Sequence, residues 1–166
     1  FTPYEGGTTA VVVISDTLEF ESAMIWGPEP TAMPQGQFEY SGLNIIGTLA
    51  APPDDANPSD SLINYGNGNG RFEMTVNFDN GEGTISAATT SINNTKMTGT
   101  FQVDTANGTF ASDSLVLNGQ LEDRIISDQP ASIVGNFHGS GAEGVSGAYY
   151  SNDETIGGII LGSRDP

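Results

Sequence analysis

Glycine recurs through the last thirty-five residues, Ser132 to Pro166, inside a β-rich apolar pattern that has no helical periodicity. Gly135, Gly139, Gly141, Gly144, Gly147, Gly157, Gly158 and Gly162 punctuate three strand candidates there. Glycine within a strand marks a bulge, a tight corner or a close approach of two backbones, so the stretch reads as the closing hairpin of a curved sheet.

The rest of the chain repeats short apolar runs separated by turn residues. Thr8 to Ser15 carries Ala10-Val11-Val12-Val13-Ile14, too short for a helix and too β-branched to prefer one. Leu18 to Trp26 follows and is stopped by Gly27-Pro28-Glu29-Pro30, and Gln37 to Leu49 has bend points at Gly42 and Gly47. Residues 50–70, with Pro52-Pro53-Asp54-Asp55 and Gly66-Asn67-Gly68-Asn69-Gly70, cannot sustain a regular element and form the longest loop. Arg71 to Phe78 alternates cleanly, with Phe72, Met74, Val76 and Phe78 on one face. Asp79-Asn80-Gly81-Glu82-Gly83 makes a hairpin turn into Thr84 to Ala88. Strands are expected at Lys96 to Asp104, Gly108 to Ser112 and Ser114 to Leu121. Asn118-Gly119 makes a turn about as suitable as a strand or helix over Ser114 to Ile126. Strands at this spacing with turn chemistry between them indicate an antiparallel sandwich or barrel. The expected fold is all-β, an antiparallel barrel of about eight strands with extra N-terminal strands. Residues 1–166 form a single domain divided into N-terminal strands 1–49, a loop 50–70 and a barrel core 71–164.

Charge narrows the partners. Four Lys and Arg against 21 Asp and Glu give a formal net charge of −17. Arg71, Lys96, Arg124 and Arg164 are scattered, so neither nucleic acid nor an anionic membrane surface is an expected partner. Such acidity with abundant Gly, Asn, Thr and Ser suits a dispersed secreted or surface protein. No cysteine is present, which excludes disulfides, thiolate metal sites and cysteine nucleophiles. No apolar run reaches the ~18 residues of a transmembrane helix, and no charged-then-apolar leader precedes Phe1, so no signal peptide is expected within this chain.

A family likeness is carried by Gly135-Asn136-Phe137-His138-Gly139, Ala142-Glu143, Gly147-Ala148-Tyr149-Tyr150 and Ile156-Gly157-Gly158-Ile159-Ile160-Leu161-Gly162-Ser163-Arg164. Together they resemble the final hairpin of the transferrin-binding protein B-like β-barrel. Upstream, Trp26-Gly27, Tyr40-Ser41-Gly42, Phe72 to Phe78 and Thr98-Gly99-Thr100-Phe101 fall in the family's order. The resemblance implies an eight-stranded barrel filled by side chains and displayed outside a bacterial cell or at its surface. Relatives of that kind bind host proteins, haem or other ligands without doing chemistry. The lipidated cysteine and long cationic loops of many relatives are absent here, so the transferrin-binding role itself is not carried over.

Catalytic constellations are not apparent. Gly139-Ser140-Gly141-Ala142-Glu143-Gly144 matches G-x-G-x-x-G, but a strand pattern follows it where a dinucleotide site needs a helix, so it reads as a turn. His138 is the single histidine and no G-x-S-x-G elbow accompanies it, which favours a structural or surface imidazole over catalysis or haem ligation. Asp54, Asp55, Asn57 and Asp60, and separately Asp79, Asn80 and Glu82, offer oxygens of the type Ca²⁺ takes. In a chain this acidic, solvated turns are the default, and no cofactor is expected.

The expected function is a non-enzymatic extracellular or cell-surface binding or adhesion module whose loops contact a protein or surface ligand. Tyr65, with Asn67 and Asn69, is the favoured contact, while Trp26 and most tyrosines are assigned to the core. The alternative is a structural subunit of a surface layer or filament that joins copies of itself through the strand Val11, Val12, Val13 and Ile14 by edge addition.

Overall fold

A computed structural model describes residues 9–14, 20–48, 70–89, 94–121 and 124–166. The described residues form ten strands: β1 (Thr9–Ile14), β2 (Phe20–Trp26), β3 (Gln37–Thr48), β4 (Arg71–Asn77), β5 (Glu82–Ala88), β6 (Thr95–Asp104), β7 (Thr109–Leu121), β8 (Arg124–His138), β9 (Gly144–Ser151) and β10 (Ile156–Arg164). Strands β3 to β10 form one closed antiparallel barrel in which each strand pairs with its sequence neighbours and β10 returns to β3. Closure leaves the barrel without an open edge. β1 and β2 make a separate two-stranded antiparallel sheet, and β2 approaches β9.

Two boundaries differ from the sequence reading. The barrel includes β3, which pairs with both β10 and β4, where the sequence reading set Gln37 to Leu49 among the N-terminal strands. Gly108 to Ser112 and Ser114 to Leu121 are one strand, not two, and no turn or helix forms at Asn118-Gly119. The chain absorbs its extra residues as irregularities between Ser112 and Leu115 and between Leu117 and Gly119. At the first, Ser112 Oγ accepts the Ser114 N–H at 3.1 Å. At the second, Gly119 takes φ 123° and the Asn118 side-chain oxygen accepts the Asp128 N–H at 2.8 Å. A glycine and an asparagine that suit a turn serve a bulge instead, which bends the strand without ending it. The hairpin turn expected at Asp79–Gly83 is present, and a second turn at residues 105–108 joins β6 to β7.

Side-chain alternation fills the barrel. Phe72, Met74, Val76 and Phe78 are all buried, while Arg71 and Glu73 face solvent. The large inward rings stand opposite glycines on neighbouring strands: Phe101 pairs with Gly83, Phe110 with Gly135, Tyr149 with Gly158 and Phe72 with Gly42. A methyl group on Gly83 would lie 2.7 Å from Phe101 Cε1, and one on Gly162 would lie 2.7 Å from Phe72 Cζ. At Gly83 the missing side chain is the space the ring occupies; at Gly135, Gly158 and Gly162 a methyl group would meet a ring and a neighbouring strand's carbonyl together, and at Gly42 the backbone of Leu161 and Gly162. Glycine's value at these strand positions is volume rather than backbone freedom.

Candidate functional site

The two ends of the barrel are built differently. One rim gathers the turns 78–81, 105–108 and 139–143 with the start of β3 and the end of β10. Beneath it lies an aromatic floor: Phe137 packs against Phe78 at a ring separation of 5.1 Å, Phe110 at 5.4 Å and Tyr40 at 5.5 Å. The Arg164 guanidinium sits 4.8 Å above the Phe38 ring, and its Nη1 donates to the Gly141 carbonyl at 3.2 Å. The Tyr40 hydroxyl donates to the Ala142 carbonyl at 2.7 Å, and burial pushes this phenol well above its usual range.

Residues 27–36 run along this rim. The Pro28 carbonyl accepts the Gly139 N–H at 2.9 Å, and the Ser140 carbonyl accepts both the Ala32 N–H at 3.2 Å and the Thr31 hydroxyl at 3.0 Å. The stop read in Gly27-Pro28-Glu29-Pro30 is thus a strap fastened to the β8–β9 turn. Between the strap, the β6–β7 turn and the end of β8 lies a groove of about 650 Å³, lined by Glu29, Met33, Asn107, Asn136 and His138 among others. Its turn wall is braced by hydrogen bonds to Asp104. Asp104 accepts the Ala106 N–H at 3.0 Å and the Asn107 side-chain amide at 2.6 Å, and the Asn107 bond leads the effects that lower the Asp104 pKa. Glu143 is similarly held below the usual carboxylate range, chiefly by the Gly141 N–H.

His138 and Ser146 have the spacing of a base and a nucleophile, with Nε2 2.7 Å from Oγ. Their surroundings do not suit that chemistry. They are 4 % and 1 % exposed, and His138 also bonds the Gly27 carbonyl, where a catalytic triad would place a carboxylate. Burial lowers the His138 pKa against the opposing pull of that carbonyl, so the ring is held neutral and pins the strap to β8 and β9. The structural reading of this histidine agrees with its surroundings. The G-x-G-x-x-G match is the turn between β8 and β9, as expected.

Several sequence candidates are placed and others are not. Tyr65, Asn67 and Asn69 lie outside the described residues, as do Asp54, Asp55, Asn57 and Asp60. Asp79 accepts the Gly36 N–H at 2.9 Å, tying the end of the strap to the β4–β5 turn, and within that turn Asn80 accepts the Glu82 N–H at 3.0 Å. Among the described residues no group of three or more His, Cys, Asp or Glu side chains is placed to hold a metal ion. Val11, Val12 and Val13 pair with Met24, Ala23 and Ser22, and Ile14 with Phe20; among the described strands the other edge of β1 has no ladder partner. Tyr40 and Tyr149 are interior, as read, and Tyr150 is exposed. The rim groove itself was not foreseen, because it joins residues near 30, 107 and 137 that no local pattern connects.

The barrel's strand count, closure and inward packing can be compared with solved structures. A transferrin-binding protein B mutant from Actinobacillus pleuropneumoniae H49 matches with a TM-score of 0.62 at 13% identity, over 95% of this chain and 76% of that one. This is the transferrin-binding protein B barrel fold. A transferrin-binding protein B mutant from Haemophilus parasuis Hp5 matches at 0.64 and 12% identity, over 96% of this chain but 36% of the other. The N-lobe domain of lactoferrin-binding protein B from Moraxella bovis matches at 0.55 and 15% identity, over 95% and 70%. No protein-family model matches the sequence, and no curated protein does. The likeness to transferrin-binding protein B is one of fold.

Proposed function

We propose that the chain is a non-enzymatic binding module, displayed outside the cell or on a bacterial surface, that takes a protein partner on the turns of its rim. The observation that carries this reading is the contrast between a barrel packed solid with side chains and a groove built by strap and turns outside the aromatic floor. A filled barrel offers no room for a carried ligand, whereas a braced rim is a surface for recognition. The fold is shared with a transferrin-binding protein and a lactoferrin-binding protein, and a net charge of −17 favours a partner with a cationic face.

The cysteine-free chain permits a direct test. Single cysteines at Asn107 in the groove and at Glu73 on the opposite wall carry an environment-sensitive dye, and transferrin, lactoferrin and a displayed random-peptide library serve as probes. Binding that alters the Asn107 dye alone, and that Asn136→Trp abolishes by filling the groove, is the expected result. Probes that respond only at Glu73, or a hydrolytic turnover lost in His138→Ala, would overturn the reading.

A second reading has its own support. β1 belongs to a two-stranded sheet outside the barrel, and such ribbons are marginal alone. Its edge beyond Val11, Val12, Val13 and Ile14 is suited to strand addition from another copy. Deleting residues 1–15 separates the two: a subunit joined by this edge becomes monomeric, while a rim binder keeps its partner.

A further inference from the structure

The acidic side chains are unevenly placed on the barrel. Outward positions on β3 to β7 include Glu39, Glu73, Glu82, Asp104 and Asp113, each exposed, with Arg71 and Lys96 among them. From Ser132 onward the pattern changes. The remaining strand residues of β8 and all of β9 carry no Asp, Glu, Lys or Arg, and Glu143, Asp153 and Glu154 fall in the turns. Where β7, β8 and β9 lie side by side, Ala111, Val134 and Ala148 are in register across the outer face, with Ser132 and Tyr150 paired in an adjoining row that Asp113 of β7 borders. Val134 is 53 % exposed and Tyr150 43 %, while Ala111 is exposed and Ala148 half-buried.

This neutral wall continues an apolar surface that the chain covers itself. Ile159 pairs with Ala148 and, like Leu161, alternates with the inward Ile160, yet both are buried although they face away from the lumen. Ser146, also outward, is buried where Gly27 packs on His138, and β2 approaches β9 on the same side. Among the described residues, Gly27 and β2 lie toward this buried end of the band, and Val134 and Tyr150 at its other end are exposed.

We infer that the Ala111–Val134–Ala148–Tyr150 wall is a contact face for a second copy of this chain. A cationic partner is drawn to the acidic outer surface, not to the part that lacks acid. Two molecules of net charge −17 approach most closely where carboxylates are fewest, since like charges set opposite one another oppose association. A two-fold arrangement places the same patch on both sides, so a neutral apolar patch is complementary to itself. Depletion of charge at an apolar centre containing an exposed tyrosine is the composition of an interface core. The inference is independent of the groove and of the β1 edge.

Sedimentation equilibrium on the full chain tests it, from about 5 to 300 μM protein in low and high salt, where the Debye length falls from about 10 Å to a few ångströms. A dimer that tightens as salt rises is expected. Val134→Glu and Val134→Lys should each weaken it at least tenfold, because either puts like charges face to face, while Val134→Thr stays within about threefold of the parent. Val134 is exposed, so unchanged thermal midpoints should accompany both charged variants. A chain that stays monomeric at the highest concentration in high salt, or a dimer indifferent to charge at Val134, would overturn the inference.

Discussion

Gly83→Ala asks whether the glycines of this barrel are seats for rings. The added methyl group would lie 2.7 Å from Phe101 Cε1 and closer still to the neighbouring ring carbons Cζ and Cε2. The ring cannot swing aside, because Phe101 is buried and stands 5.1 Å from Phe110. Overpacking of this kind costs about 1–3 kcal/mol. Replacing a strand glycine with alanine recovers roughly 0.5–1 kcal/mol of backbone entropy. The net expectation is a loss of about 1–2 kcal/mol, which for a domain of this size lowers the thermal midpoint by about 2–8 °C. Phe101→Leu alone also destabilises, by opening space. The double variant should be more stable than the sum of the two losses by at least about 1 kcal/mol, a coupling well beyond the roughly 0.3–0.5 kcal/mol scatter of independent sites. Urea unfolding followed by far-ultraviolet circular dichroism measures all four chains. Additive losses, or a Gly83→Ala variant as stable as the parent, would refute the claim that the glycine's missing side chain is the ring's space.

Three further perturbations test other parts of the fold. Tyr149 donates its hydroxyl to the buried Asn44 side chain at 2.8 Å, so Tyr149→Phe should cost about 1–3 kcal/mol by chemical denaturation, and Asn44→Leu in the same chain should restore part of it. Phe137 contacts three rings beneath the groove, and Phe137→Ala should cost about 3–5 kcal/mol, read from the same urea midpoints. His138 is held below its unfolded pKa of about 6.5 by burial, so the unfolded chain takes up the proton first. Its contribution is complete above that pH and is lost as pH falls from there through the lowered folded value. Unfolding midpoints at neutral and mildly acid pH should therefore differ less in His138→Gln than in the parent.

The fold was largely legible wherever one face is wet. Arg71 to Phe78 alternates because each inward apolar residue is flanked by an outward polar one, and the register follows from that alone. β10, buried on both faces over most of its length, and β9, which opens outward only at Ala148 and Tyr150, gave no such alternation, but their glycines marked them. What those glycines do was only half visible: close approach was legible, but its object was not, since the pairing of Gly83 with Phe101 exists only once the register is known. Asn118-Gly119 misled because the same two residues satisfy a turn and a bulge, and the choice is made by the neighbouring strand. Of the site, the local signals in His138 and the β8–β9 turn were readable. The groove was not, because its walls come from three distant stretches.

The seam between β3 and β10 sets when the molecule can become whole. Ser41 bonds Asp165 across 124 positions of chain, and the whole edge from Tyr40 to Thr48 waits for residues 156–164. Until the final strand emerges, β3 and β9 are both left with an unsatisfied flank, and joining ends so far apart carries a closing entropy that early contacts do not offset. The nascent chain therefore spends its synthesis open, with adhesive borders that the last nine strand residues conceal.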